Sequence, residues 1–314
     1  MKKIAVIGEC MIELTQRGGE LTRSFGGDTL NTAVYMARQA AAATLQVSYV
    51  TGLGNDSFSA EMQQAWQQEG IAVDLIQHLP DRLPGLYLIE TDPQGERTFY
   101  YWRSEAAARF WLESEGADAV CRQLAGFDYL YLSGISLAIL SEASREKLFR
   151  LLAGCRGKGG RVIFDNNYRP RLWADTASAR QIYQLMLEQT DLAFLTLDDE
   201  TALWGDEAAA AVLERTHRAG VHEVVIKRGA DPCLVSLAGE PVLEVPALTV
   251  DNTQVIDTTA AGDSFSAGYL AARLSGTSAR RAAQQGHLLA SHVIQHPGAI
   301  IPREAMPLAN ADNR

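Results

Sequence analysis

Six short runs rich in β-branched and aromatic residues, at 4–7, 47–51, 129–133, 162–165, 192–195 and 224–227, recur along the chain, each followed by a longer stretch of helical periodicity. Strands separated by helix-length segments cannot pair as tight hairpins; they pair through crossovers. The alternation therefore predicts an α/β fold with a mainly parallel central sheet and helices on both faces. With 314 residues, 47% of them hydrophobic, the chain can bury the core of one large domain.

A different texture interrupts this pattern. Residues 85–90 and 97–102 are two β-prone runs joined by Asp92-Pro93-Gln94-Gly95, which reads as a hairpin, and residues 10–25 alternate apolar and polar around a Gly18-Gly19 turn. These pieces predict a small inserted β-sheet standing off the main one. The expected organisation is an α/β domain of residues 1–9, 26–84 and 104–306, a β lid of 10–25 and 85–103, and a disordered tail at 307–314. The alanine-rich stretch 40–43 reads as a helix end.

The net charge of -10 argues against nucleic acid as a partner, because a phosphate backbone needs a basic surface. Cys10, Cys121, Cys155 and Cys233 lie far apart with no CxxC pair, the pattern of reduced thiols rather than of zinc or a disulfide framework. Gly8 and Glu9 end the first apolar run well short of a signal-peptide core, and no stretch approaches a membrane helix. The expected place is the cytoplasm, away from any membrane.

The segment richest in chemistry is Asp257-Thr258-Thr259-Ala260-Ala261-Gly262-Asp263-Ser264-Phe265, where small residues give way to a helical pattern. A helix N-terminus offers unpaired N–H groups and a partial positive charge, and Ala260, Ala261 and Gly262 have no bulk to keep a phosphate from them. Asp263, in the first turn, is placed to take the proton of an attacking hydroxyl. Nearer the start, Gly26-Gly27-Asp28 opens another helix, with Asp28 as its expected cap and Leu30, Ala33, Val34 and Ala37 as its buried face.

Together these two segments resemble the signatures of the ribokinase-like (PfkB) carbohydrate kinases. The C-terminal one matches Asp-Thr-x-Gly-Ala-Gly-Asp, with Ala260 in place of the first Gly; the N-terminal one matches Gly-Gly-x-x-x-Asn through Gly26, Gly27 and Asn31. The similarity runs over roughly residues 3–303. It implies the ribokinase-like three-layer fold, Asp263 as catalytic base, Ala260, Ala261 and Gly262 as an anion hole, and Gly26, Gly27 and Asn31 on the sugar. No P-loop or protein-kinase glycine loop is present. In the resemblance the nucleotide side is carried by Lys227 and Gly229 after the strand at 224–227, by Thr258 and Gly262, and by Asn167 toward a phosphate. ATP and Mg2+ are the implied cofactors, and a monovalent cation is left open. Family members carry Asn-x-x-Glu after the fifth strand; here Leu197 stands at the Asn position, and Glu200 is retained as an indirect, water-mediated contact to the metal.

Tyr101 and Arg103 share one face of a strand, Tyr87 lies on the neighbouring strand, and Arg169 follows a strand end in Asp165-Asn166-Asn167-Tyr168-Arg169-Pro170. The planar fork of arginine suits a carboxylate and tyrosine hydroxyls suit keto or hydroxyl oxygens, so this set points to an acidic sugar. Within the family the resemblance implies 2-keto-3-deoxygluconate, phosphorylated from ATP on its 6-hydroxyl, with Gly27, Tyr87, Tyr101, Arg103, Arg169 and Asp263 holding it. It also implies a homo-oligomer paired through the lid. A neutral-sugar kinase for ribose or fructose is the near alternative, and a non-catalytic sugar-acid sensor on the same fold the more distant one. An NAD-dependent oxidoreductase lacks the strand–GxGxxG–helix context it needs.

Overall fold

The structure, a computed structural model, describes residues 1–17, 19–40, 44–91, 97–205 and 208–307. Gly18 of the expected Gly18-Gly19 turn, the turn at 92–95, the alanines at 41–43 and the tail at 308–314 lie outside the described residues. The first strand, β1 (Lys2–Ile7), leads into β2 (Met11–Arg17) and β3 (Glu20–Gly26), then α1 (Asp28–Gln39), β4 (Leu45–Val50) and β5 (Gly52–Leu53). Next come α2 (Ser57–Gln68), β6 (Gln77–His78), β7 (Gly85–Thr91), β8 (Arg97–Trp102) and α3 (Ala117–Leu124). The middle of the chain is β9 (Tyr129–Ser133), α4 (Gly134–Ala138), α5 (Glu142–Arg156), β10 (Arg161–Asp165) and α6 (Thr176–Glu188). It continues with β11 (Leu192–Thr196), α7 (Leu197–Trp204), α8 (Ala209–Arg218) and β12 (Glu223–Lys227). The last elements are β13 (Cys233–Leu237), β14 (Leu243–Val245), α9 (Ala261–Leu274) and α10 (Ala279–Val293).

Eight strands form the central sheet in the order β14-β13-β12-β11-β10-β9-β1-β4. Six of them are parallel, and their side chains divide by the period of two that a pleat imposes. Ile4, Val6, Ile163 and Val225 pack with α1, α9 and α10; Ala5, Ile7, Val162, Phe164, Val224 and Ile226 pack with the helices of the other face. Both faces are covered, which is why these strands read as nearly continuous apolar runs.

β1 runs on into the hairpin β2–β3, as the alternating texture of residues 10–25 predicts. One expectation about connection fails at the end of the pattern: no helix follows the run at 224–227, and β12 instead turns back through Gly229 (φ 61°) into antiparallel β13 and then β14. Five residues separate β12 from β13, too few for a parallel crossover. The small sheet is present as a four-stranded unit, β3-β2-β7-β8, and β5 pairs with β6 in a separate two-stranded ribbon. No helix among the described residues is long and apolar enough to cross a membrane.

Candidate active site

Parallel strands deliver their carboxyl ends to one edge of the sheet. β1 lies between β4 and β9, so the chain leaves it toward one side first and returns on the other; that reversal opens a crevice at the carboxyl edge. Glu9 after β1, Asp165 to Asn167 at the end of β10 and Lys227 at the end of β12 all stand there.

Helix α9 begins at this edge. Ala260 sits ahead of it in the left-handed conformation (φ 60°, ψ 16°), a geometry that costs a non-glycine residue on the order of 1–3 kcal/mol. The smallest side chain with a Cβ thus occupies the position where the family signature has glycine. The amides of Gly262 and Asp263 lie in the first turn, where no residue four places back is helical, so they face outward from the helix start. A Cβ on Gly262 would lie 3.4 Å from Lys227 Nζ, which places the ammonium beside this opening.

Asp263 is half-buried in this first turn. Its Oδ2 accepts from Asn31 Nδ2 at 2.9 Å, joining the first turns of α1 and α9 across 232 residues. Burial raises its pKa to about 7, with the charges of Asp28 and Asp165 adding to the rise and Asn31 and Lys227 opposing it. A carboxylate poised there is a competent proton acceptor near neutral pH. Asp28 does not cap α1 as the sequence predicted: Gly27 is the N-cap residue, and Asp28 Oδ2 instead accepts from Asn167 Nδ2 at 2.5 Å. Asn167 itself holds a positive φ of 28°. Lys227 pairs with buried Asp165 at 2.7 Å, an acceptor it shares with Ser266 Oγ at 3.0 Å.

The glycine pair serves close approach. A Cβ on Gly26 would stand 2.2 Å from Tyr87 Oη, and one on Gly27 would stand 2.3 Å from the Glu9 carbonyl. The small sheet presents a rung of Ser24, Glu13, Tyr87 and Tyr101 in register on one face, with Tyr87 and Tyr101 stacked at 5.8 Å. Tyr87 donates its phenolic proton to Glu13, so toward any ligand it can only accept. Half-buried Arg103 pairs with buried Glu9, while Glu9 Oε1 and Arg103 Nε keep no partner in the described structure. Desolvation raises the Glu9 pKa against the lowering by Arg103. A cleft of about 300 Å³ continues beneath the same sheet, bounded by Glu13, Thr15, Ser24, Arg97, Asp257 and Gly298.

Three predicted residues are engaged with partners of their own. Arg169, with a side chain 51% exposed, bonds to the Tyr168 carbonyl (2.8 Å) and to Asp199 (3.3 Å). Glu200 is buried and accepts from Asn166 Nδ2 (2.8 Å) and from Arg215, so its oxygens are engaged within the protein. Thr258 is exposed, its carbonyl accepting from the Ala261 amide at 3.2 Å. Glu9, Glu13 and Asp165 went unassigned in the sequence, and Asp28 was read only as a cap, because each is defined by a partner distant in the chain. The Gly8-Glu9 that closes β1 is the nearest thing to a local signal for any of them.

Residues 1–306 match the family described as pfkB family carbohydrate kinase. The chain is 67% identical over 306 residues to 2-dehydro-3-deoxygluconokinase of Escherichia coli strain K12, covering 98% of this chain and 99% of that one. It is 65% identical, with the same coverage, to 2-dehydro-3-deoxygluconokinase of Dickeya dadantii. Among solved structures, a putative ribokinase II from E. coli in complex with ATP and Mg2+ superposes with a TM-score of 0.82 at 21% identity, covering 98% of this chain and 96% of that one.

Proposed function

The chain belongs to the pfkB family of carbohydrate kinases, and we propose that it is an ATP-dependent 2-dehydro-3-deoxygluconokinase. It would transfer the γ-phosphoryl group of ATP to the 6-hydroxyl of 2-keto-3-deoxygluconate, giving 2-keto-3-deoxy-6-phosphogluconate. The observation that carries the chemistry is the half-buried Asp263, with its pKa raised to about 7, in the first turn of a helix whose opening is lined by Ala260, Ala261 and Gly262. The names of the relatives at 67% and 65% identity support the substrate.

In this reading Asp263 takes the proton of the 6-hydroxyl as its oxygen bonds to the γ-phosphorus, and the bond from phosphorus to the bridging oxygen of ADP breaks. The helix opening and Lys227 receive the negative charge of the transferred group. Gly26, Gly27, Asn31, Tyr87, Tyr101, Arg103 and Arg169 hold the sugar acid. Tyr87, which can only accept, reads a hydroxyl rather than the keto group or carboxylate. Asn167, Lys227, Gly229, Thr258 and Gly262 line the nucleotide side.

No group of three or more metal-binding side chains occurs among the described residues; in this reading magnesium would be held chiefly by phosphates and water. Glu200, already engaged by Asn166 and Arg215, would meet it only through water. Bound magnesium would neutralise phosphate charge. The four-stranded sheet acts as a lid that excludes water from the transfer. Its edge strand β8 leaves Tyr100 and Trp102 exposed, a surface suited to pairing with the lid of a second copy; a monomer alone in sedimentation would remove that assembly. In this reading the enzyme works in the cytoplasm.

The test is ATP consumption with magnesium across 2-keto-3-deoxygluconate, gluconate, ribose, fructose and a nucleoside. Turnover confined to the keto-deoxy acid is the expected result. Turnover of ribose or fructose instead would keep the base and discard the substrate, and none at all would return the sensor reading.

A further inference from the structure

One side chain ties the far end of the small sheet to the loop that shapes the α9 opening. Arg97, the first residue of β8, sends Nη1 to Asp257 Oδ1 at 2.9 Å and to Thr259 Oγ1 at 3.0 Å, across 160 residues of chain. Asp257 is the knot of that loop. Its Oδ1 also accepts from Thr259 N (2.9 Å) and Thr259 Oγ1 (2.6 Å), and its Oδ2 accepts from Gly298 N at 2.9 Å. Three residues on, Ala260 takes the left-handed turn that starts α9. Burial alone would raise the Asp257 pKa, yet Arg97 and the Thr259 donors hold it well below the usual carboxylate range.

The other end of the same strand is anchored as well. Arg103, one residue past β8, pairs with Glu9 at the end of β1. Six strand residues span about 20 Å, so the two arginines fasten β8 to the two walls of the crevice with Tyr101 between them. Arg97, Phe99 and Tyr101 alternate with Thr98 and Tyr100, which places Arg97 on the face that carries Tyr101.

We propose that Arg97 is a positioning residue that couples the seating of the small sheet to the shape of the α9 opening, so that phosphoryl transfer proceeds only when both are in place. Neutral donors would still hold the Asp257 loop in its absence. The buried carboxylate would then lack its counter-charge, and the loop would sample other arrangements. This inference rests on the kinase reading of the site for its effect on rate, but not for the coupling itself.

The experiment compares the intact protein with Arg97→Met and Arg97→Lys by amide hydrogen exchange, without ligands, and by steady-state kinetics with ATP and 2-keto-3-deoxygluconate. Losing one charge-assisted contact predicts about ten- to hundred-fold faster exchange in Arg97→Met, both at 97–103 and at 257–263, and a kcat lower by a similar factor. Both KM values should stay within about three-fold, and Arg97→Lys should recover most of the loss. Exchange that rises only at 97–103, or not at all, overturns the coupling whatever the substrate proves to be. Coupled exchange with kcat unchanged would overturn the role in transfer. A native protein that turns over no keto acid would instead sink the kinase reading, leaving the exchange result to decide the coupling.

Discussion

Replacing Asp263 with Asn should slow the enzyme and stabilise the protein, and the second effect carries a pH signature. The Asp263 pKa rises from 3.8 to about 7, through burial first and then the neighbouring Asp28 and Asp165 charges. A folded-state pKa above the unfolded one means the native protein binds the proton more tightly. Stability is therefore fully present below pH 4 and is lost as pH rises toward 7. At 1.36 kcal/mol per unit the ionised carboxylate costs the fold about 4 kcal/mol above pH 7 and about 2 kcal/mol at pH 5. The amide that replaces the carboxylate would carry no charge, and its oxygen could still accept from Asn31 Nδ2. The variant should therefore melt several degrees higher than the native protein at pH 8, with the gap roughly halved at pH 5. Its kcat should fall by about 10²–10⁴, with KM largely preserved. Native activity should drop on the acid side of pH 7 as Asp263 takes up its proton. A Tm difference that does not change with pH would refute the reasoning about the buried charge, and near-normal turnover would remove Asp263 from the mechanism.

Removing Arg103 strands a buried Glu9, so Arg103→Met should lose about 3–5 kcal/mol of stability. The double variant with Glu9→Gln should regain much of that in thermal melts while still binding the sugar acid poorly; recovery of both would make the pair purely structural. Arg169→Ala should raise KM for the keto acid far more than for a neutral analogue, since only the acid loses a charge-assisted pair. Equal changes for both would assign Arg169 to Asp199 alone, its partner in the free protein.

The central strands, the small sheet and the α9 opening were legible because each rests on a local signal. Short runs of β-branched and aromatic residues mark strands, a polar turn between β-prone runs marks a hairpin, and a run of small residues ahead of a helical pattern marks an accessible helix start. The antiparallel edge β13–β14 was missed because its strands are short and follow a glycine turn, a texture shared with ordinary loops. Asp28 looked like a cap because Asp is common there. Whether such a side chain bonds its own helix or reaches elsewhere depends on what lies opposite, and here that is Asn167.

By itself, then, the sequence determined the layered α/β architecture, the place of the candidate base and the lack of bulk around it, because those depend on residues adjacent in the chain. Only the tertiary structure decided which polar and charged groups face one another: Asn31 with Asp263, Lys227 with Asp165, Arg103 with Glu9 and Arg97 with Asp257. Sheet order, not sequence order, brings the ends of β1, β10 and β12 and the starts of α1 and α9 to one edge. Burial at that edge is what lifts Asp263 into the range where it can take a proton.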